Sequence, residues 1–214
     1  MDFKQVHSSL DREEQLILHA TSSDLNGDGF PDLIVCDEEG AHVYENMGDF
    51  RFNPVELHLK TANTYGCSTG DYNNDGLIDL FFANWAGRNF LLKNLGGFKF
   101  ENVLGFQMVH DYQDSEGSYW GDFNNDGWQD LIVTDHRKTE VYKNMQGDSF
   151  QLLEHCDRVF TNCNNTNAAV WLDCENDGHL DLIVTKGGNG QDLLFRNSGI
   201  DNNWLKVKLV DQPP

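Results

Sequence analysis

Asp122, Asn124 and Asp126 alternate through the stretch GDFNNDGWQDLIVT, with Gly127 sixth from Asp122 and Asp130 ninth. Alternate residues of a tight loop point to one side, so the side-chain oxygens of positions one, three and five converge on a space suited to one cation. The main-chain carbonyl of position seven, Trp128, can add an oxygen whatever its side chain, and Asp130 can close the shell. No His or Cys pair stands at zinc spacing, and an all-oxygen set prefers a hard cation. Ca2+ accepts six to eight such oxygens, whereas Mg2+, the nearest competitor, tends to keep its waters. An EF-hand would place a bidentate Glu at position twelve, which here is Val133, and would continue into a helix.

The same residue types also dominate β-turns that bind nothing, so recurrence is what argues for a metal. The loop returns as DLNGDGFPDL from Asp24, DYNNDGLIDL from Asp71 and DCENDGHLDL from Asp173, the four copies starting 47, 51 and 51 residues apart. The candidate ligands are Asp24, Asn26, Asp28, Phe30 and Asp32 in the first loop, and Asp71, Asn73, Asp75, Leu77 and Asp79 in the second. Asp122, Asn124, Asp126, Trp128 and Asp130 form the third set, and Asp173, Glu175, Asp177, His179 and Asp181 the fourth. Phe30, Leu77, Trp128 and His179 share no side-chain chemistry, as suits a carbonyl ligand. One Ca2+ per loop, about four per chain, is the expectation. Glu175 replaces the Asn of the other copies and gives the fourth loop an additional carboxylate.

The elements around the loops repeat as well. Each Asp-Leu runs into an apolar stretch (LIVC, LFFA, LIVT, LIVT), then a polar turn, then a second stretch ending in Asn (HVYEN, FLLKN, EVYKN, LLFRN). These runs are short, rich in β-branched and aromatic residues and bounded by Gly, Asn and Asp, which predicts strands. With an apolar segment before each loop and a third stretch after the Asn, one unit is a four-stranded antiparallel sheet of about 50 residues, a β-propeller blade. The predicted fold is therefore an all-β propeller, with blades at 14–60, 61–107, 115–156 and 166–200. Residues 1–10 resemble the outer strands, and the fourth repeat lacks one, so they are expected to close a four-bladed ring as the outer strand of the last blade. The rival arrangement is a piece of a larger ring or half of an eight-bladed dimer, so monomer and homodimer both stay open. Small residues at Gly66, Ser68, Gly117, Ser118, Ala168 and Ala169 suit strands near a narrow axis.

The 15 basic and 35 acidic residues leave a formal charge of −20, which argues against nucleic acid and anionic lipid as partners. No apolar run reaches the length of a membrane span. Five cysteines show no dense disulfide framework, although Cys156 and Cys163 are close enough in sequence to pair. MDFKQVHSSL lacks the apolar core of a signal peptide. No Gly-x-Ser-x-Gly elbow, His-Glu-x-x-His or phosphate loop is present, so an enzyme is not expected. Loops joining second and third strands (NWAGRN, TDHRKTE, KGGNGQD) should lie opposite the acidic loops, making Trp85, Arg88, His136, Arg137 and Lys186 candidates for a ligand face. Ordinary loop decoration, with Trp85 tucked into the neighbouring blade, is the competing reading.

The Asp-x-Asn-x-Asp-Gly-x-x-Asp-Leu pattern resembles the FG-GAP/VCBS repeat family, the calcium-binding blades also found in integrin α-subunit heads. It lacks the Phe-Gly and Gly-Ala-Pro signatures of the integrin type and is closer to the VCBS-like bacterial branch. Residues 202–210, NNWLKVKLV, are similar to the start of the ASPIC/UnbV segment that follows such repeats in secreted proteins and bacterial homologues, and 201–214 is read as that segment. The resemblance implies a calcium-stabilised propeller in adhesion, matrix or surface recognition, with a protein or glycan ligand. An extracellular, cell-surface or periplasmic location follows, where calcium reaches levels that even weak loops can use. The alternatives are a glycan-active enzyme of the polysaccharide lyase or hydrolase kind and a scaffold without a ligand.

Overall fold

Strands that follow an acidic loop carry apolar residues at every position rather than every second one, the pattern of a sheet covered on both faces. The computed structural model describes residues 16–110, 112–153, 165–188 and 190–199, and shows why. The first sheet joins β1 (Ile17–Ser23), β2 (Asp32–Asp37), β3 (Gly40–Asn46) and β4 (Phe52–Val55) in that order, all antiparallel. Pro54, which cannot donate to a ladder, sits on the edge strand. In the second sheet β5 (Thr64–Gly70) and β6 (Asp79–Asn84) pair as β1 and β2 do. A two-residue β7 (Gly87–Arg88) then precedes β8 (Phe90–Asn94) and β9 (Phe100–Asn102), which complete the sheet.

A short 3-10 turn (Gln107–Val109) leads to β10 (Tyr112–Gln113), which pairs with β7. The third sheet is β11 (Ser115–Gly121), β12 (Asp130–Asp135), β13 (Glu140–Asn144) and β14 (Phe150–Leu152). The fourth shows three strands among the described residues: β15 (Thr166–Leu172), β16 (Asp181–Lys186) and β17 (Leu193–Phe195). No helix among the described residues is long and apolar enough to cross a membrane. The expected closing strand at residues 1–10, the Cys156–Cys163 pair and the 201–214 segment lie outside the described residues.

First strands stand side by side in chain order, β1 against β5, β5 against β11, β11 against β15. Each pairs with its second strand through a register shift at the same place, between Ile17 and His19, Thr64 and Gly66, Ser115 and Gly117, Thr166 and Ala168. A bulge repeated in this way increases the local twist of each blade. The small residues are required by the approach: a Cβ on Gly66 would stand 2.6 Å from the Glu116 carbonyl oxygen, and one on Gly121 2.5 Å from the Trp171 ring. Ser68 and Ser118 meet hydroxyl to hydroxyl at 2.6 Å.

The core lies between blades. Along β6, Leu80 and Phe82 pack against Ile34 and Val43 of blade 1, while Phe81 and Ala83 turn the other way onto Leu131, Val133 and Tyr142 of blade 3. Strand alternation thus feeds two interfaces from one strand. Ile132 and Val141 meet Leu182 and Val184 of blade 4 in the same manner. On the far face of blade 4 the cross-strand row Val170, Ile183, Leu194 has no such cover among the described residues, and Val170 and Leu194 are 51% and 63% exposed.

Candidate metal loops and the opposite face

Every acidic loop joins the first strand of a blade to the second, so the four share one place in the repeat. Their internal bonding repeats atom for atom. The position-one carboxylate accepts from the N–H groups of positions five and six: Asp71 from Asp75 at 3.1 Å and Gly76 at 2.8 Å, Asp122 from Asp126 at 3.0 Å and Gly127 at 2.8 Å. Asp24 and Asp173 do the same. The position-five Oδ1 of Asp28, Asp75, Asp126 and Asp177 accepts from the N–H of position seven. Position three also turns back on the loop: the Oδ1 atoms of Asn26, Asn73 and Asn124 accept from the position-five N–H. Gly29, Gly76, Gly127 and Gly178 hold φ between +85° and +89°, a conformation costly for any other residue.

Asp32, Asp79, Asp130 and Asp181 tie the loop to the rest of the blade. Each accepts from the N–H of position two (Leu25, Tyr72, Phe123, Cys174) through one oxygen. Through the other it accepts from the N–H of the Asn at or just past the end of its blade's third long strand (Asn46, Asn94, Asn144, Asn197). Those asparagines recur in the sequence but were given no role there. The amide of Asn94 donates to the Leu25 carbonyl at 2.8 Å, that of Asn144 to Tyr72 at 2.7 Å and that of Asn197 to Phe123 at 2.8 Å. Each therefore latches onto position two of the preceding blade's loop. A second link joins loop to loop, Asn74 donating to the Gly127 carbonyl and Asn125 to that of Gly178. The donors occupy the left-handed region, with φ of 54° and 55°, and the first loop has Gly27 at that position.

The loops differ in charge balance. Burial pushes Asp79 and Asp130 up to about 7; the Asn94 and Asn144 N–H groups oppose the rise, and the carboxylates of the same loop (Asp75 and Asp71, Asp126 and Asp122) add to it. Asp32 is raised for the same reasons. Asp181, also shielded from water, has less protein around it in the last described blade. The N–H of Asn197, then that of Cys174, outweighs burial there and holds it below its ordinary value. Among the described residues, cations reach three loops: Lys93 lies 3.3 Å from Asp75 and Lys143 3.5 Å from Asp126, and Arg196 pairs with Glu175. The longer arm of Glu175 is thus engaged with Arg196.

Among the described residues no three His, Cys, Asp or Glu side chains are drawn together as a ligand cluster. The donor set nonetheless suits a hard cation: only carboxylate, carboxamide and carbonyl oxygens, with the buried Asp79 and Asp130 raised by burial first and then by the carboxylates of their own loops.

On the ends of the second strands, Trp85 is half-buried, tilted over Tyr65 at 5.4 Å and meeting the His136 ring from blade 3 edge-on at 5.5 Å. Two of the candidate ligand-face residues are therefore brought together across a blade boundary. Arg88 is exposed beside them in sequence, Arg137 is committed to Asp114 at 2.7 Å, and the Lys186 N–H donates to Asp192 in its own hairpin.

Successive antiparallel blades, each with an acidic loop between its first and second strands, define a β-propeller built from one repeated unit. The FG-GAP-like repeat matches residues 24–82, 71–133 and 122–184, and the chain belongs to that family. Cartilage acidic protein 1 of Xenopus tropicalis is 28% identical over 197 residues, covering 81% of this chain and 30% of the relative; its Homo sapiens counterpart is 27% identical, covering 81% and 29%. The chain thus spans under a third of the length of these relatives. An Agrocybe aegerita lectin, described as recognising non-reducing terminal N-acetylglucosamine, shares the fold with a TM-score of 0.52 at 16% identity, covering 82% of this chain and 52% of the lectin.

Proposed function

We propose that the chain is a calcium-stabilised propeller module that recognises a ligand and catalyses no reaction, working outside the cell or at its surface. The observation that carries this is the buried Asp79 and Asp130, whose own loop-mates repel them. A divalent cation would remove that repulsion and make each loop a fixed joint between strands. Positions one, three, five and nine of each loop would hold it, with the position-seven carbonyl, and it would supply charge neutralisation alone. In the fourth loop Glu175 would have to leave Arg196 to take part.

The ligand face is the opposite one, where Trp85 and His136 form an aromatic shelf and exposed Arg88 follows Trp85 by three residues in the same loop. A flat indole next to hydrogen-bonding groups suits a sugar ring, and the likeness to a lectin supports a glycan over a protein ligand. Native mass spectrometry should count four Ca2+ per chain, and a chelator should lower Tm steeply, since each site filled to a thousand times its Kd contributes about 4 kcal/mol. A mass and Tm indifferent to the chelator would overturn the calcium reading. A glycan array should show binding that Trp85→Ala abolishes; release of cleaved sugar would overturn the non-enzymatic one.

A further inference from the structure

The interface between blades 1 and 2 holds a group of side chains that neither calcium nor the aromatic shelf uses. His19 and Cys36 are cross-strand partners on β1 and β2, so both leave the same face of the sheet, the one turned to blade 2. There Cys67 of β5 meets both. His19 Nδ1 lies 3.3 Å from Cys67 Sγ, and Cys36 and Cys67 belong to the same buried cluster. Both residues belong to the core these blades share, Cys36 completely buried and Cys67 with 4% of its surface exposed.

The repeat supplies its own controls. At the equivalent positions of the next interface stand Gly66, Ala83 and Ser118, and of the one after it Gly117, Thr134 and Ala169. Those residues are small enough for strands to pass closely and include no thiol or imidazole. The first interface accommodates three larger, reactive groups at the same point of the same scaffold. It is also reachable. Cys67 and His19 line a cleft of about 360 Å³ along the first strands, together with Thr21, Ser68 and Tyr119.

We propose that Cys67 is a reactive thiol with His19 as its base and Cys36 as its resolving partner, forming a Cys36–Cys67 disulfide between blades 1 and 2 when a low-molecular-weight disulfide enters the cleft. His19 takes the Cys67 proton, and the thiolate attacks one sulfur of the incoming disulfide. This forms a mixed disulfide and expels one thiolate, which collects the proton from His19. Cys36 then gives its proton to the second leaving sulfur as it attacks Cys67 Sγ. The balance is two protein thiols oxidised and one small disulfide reduced to two thiols. The contact with Cys36, ahead of that with His19, holds the Cys67 thiol below its ordinary value, while the Cys67 contact and then burial push Cys36 up. That order suits an attacking and a resolving thiol.

The folded, calcium-loaded protein should be treated with oxidised glutathione and its cysteines mapped by peptide mass spectrometry, which separates this pair from Cys156, Cys163 and Cys174. The expected product is a Cys36–Cys67 link with no retained glutathione and a higher Tm that a reductant reverses. Cys36→Ala, which installs the residue found at position 83, should trap glutathione on Cys67. His19→Gly, as at position 66, should slow capture about tenfold without changing the rate at exposed Cys174. Cys67 remaining free in the folded wild type while Cys174 reacts would overturn the proposal, as would a lasting mixed disulfide in wild type. Both readings need no variant, so they stand even if a substitution unfolds the protein.

Discussion

Blades 2 and 3 are built from the same repeat as blades 1 and 4 but work in a different medium. β6 and β12 are sheathed on both faces, and their ninth-position carboxylates, Asp79 and Asp130, sit where water cannot help them. In blade 4 the row Val170, Ile183, Leu194 has no cover among the described residues, and Asp181 has the same partners with less protein around it. One loop sequence therefore carries a different electrostatic cost according to its neighbours. What a repeat contributes is set by its place in the array as much as by its residues.

Core truncations test that contrast most strongly. Phe81→Ala removes a ring from the blade 2–3 interface and should cost about 3–5 kcal/mol in denaturant unfolding, whereas Leu194→Ala on the open face should cost less than about 0.5 kcal/mol. Equal losses would mean that blade 4 is covered in solution.

Protons give the next effect. Asp79 and Asp130 hold a proton up to about 7 in the folded state against an ordinary value of 3.8 unfolded. The folded chain then binds more protons across that window, so stability without metal falls as pH rises through it, on the order of 1 kcal/mol per pH unit per group. Chelated protein should unfold more readily at pH 7 than at pH 5. Asp79→Asn or Asp130→Asn should flatten the profile, and Asp181→Asn should not. A calcium-free profile that climbs over the same range would refute the assignment.

Latches come third. Asn144→Ala strands the Tyr72 and Gln129 carbonyls and should cost about 1–3 kcal/mol. Asn46, whose amide reaches Pro31 in its own blade and no other blade among the described residues, should cost less. Last, Gly27→Asn supplies the first loop with the donor that the second and third already have. A Cβ there meets nothing within 4 Å at a φ of 81°, and the added bond to the next loop should raise stability by up to about 1 kcal/mol. No gain would show that the first two loops stand apart differently from the others.

The loops and strands were legible because they recur. A spacing seen four times separates a built feature from a turn-rich accident, and continuous apolar runs such as LFFA announce a sheet covered on both sides. The terminal asparagines were equally visible but said nothing, because their partner carbonyls lie about 70 residues earlier and a carbonyl carries no sequence signature. Trp85 and His136 stand in separate loops of the sequence, and only the blade packing places their rings together. The β7–β10 pair was missed, two residues a side being too short for periodicity to register. Cys36 and Cys67 looked like scattered thiols, since their meeting depends on register across a blade boundary.

The asparagine latch gives the array a direction. Each blade is finished by the one after it, which reaches back for a carbonyl and leaves its own to be taken in turn. A duplicated unit inserted at any internal boundary would find an amide waiting on one side and an acceptor on the other, so such a protein can gain blades without inventing a new joint.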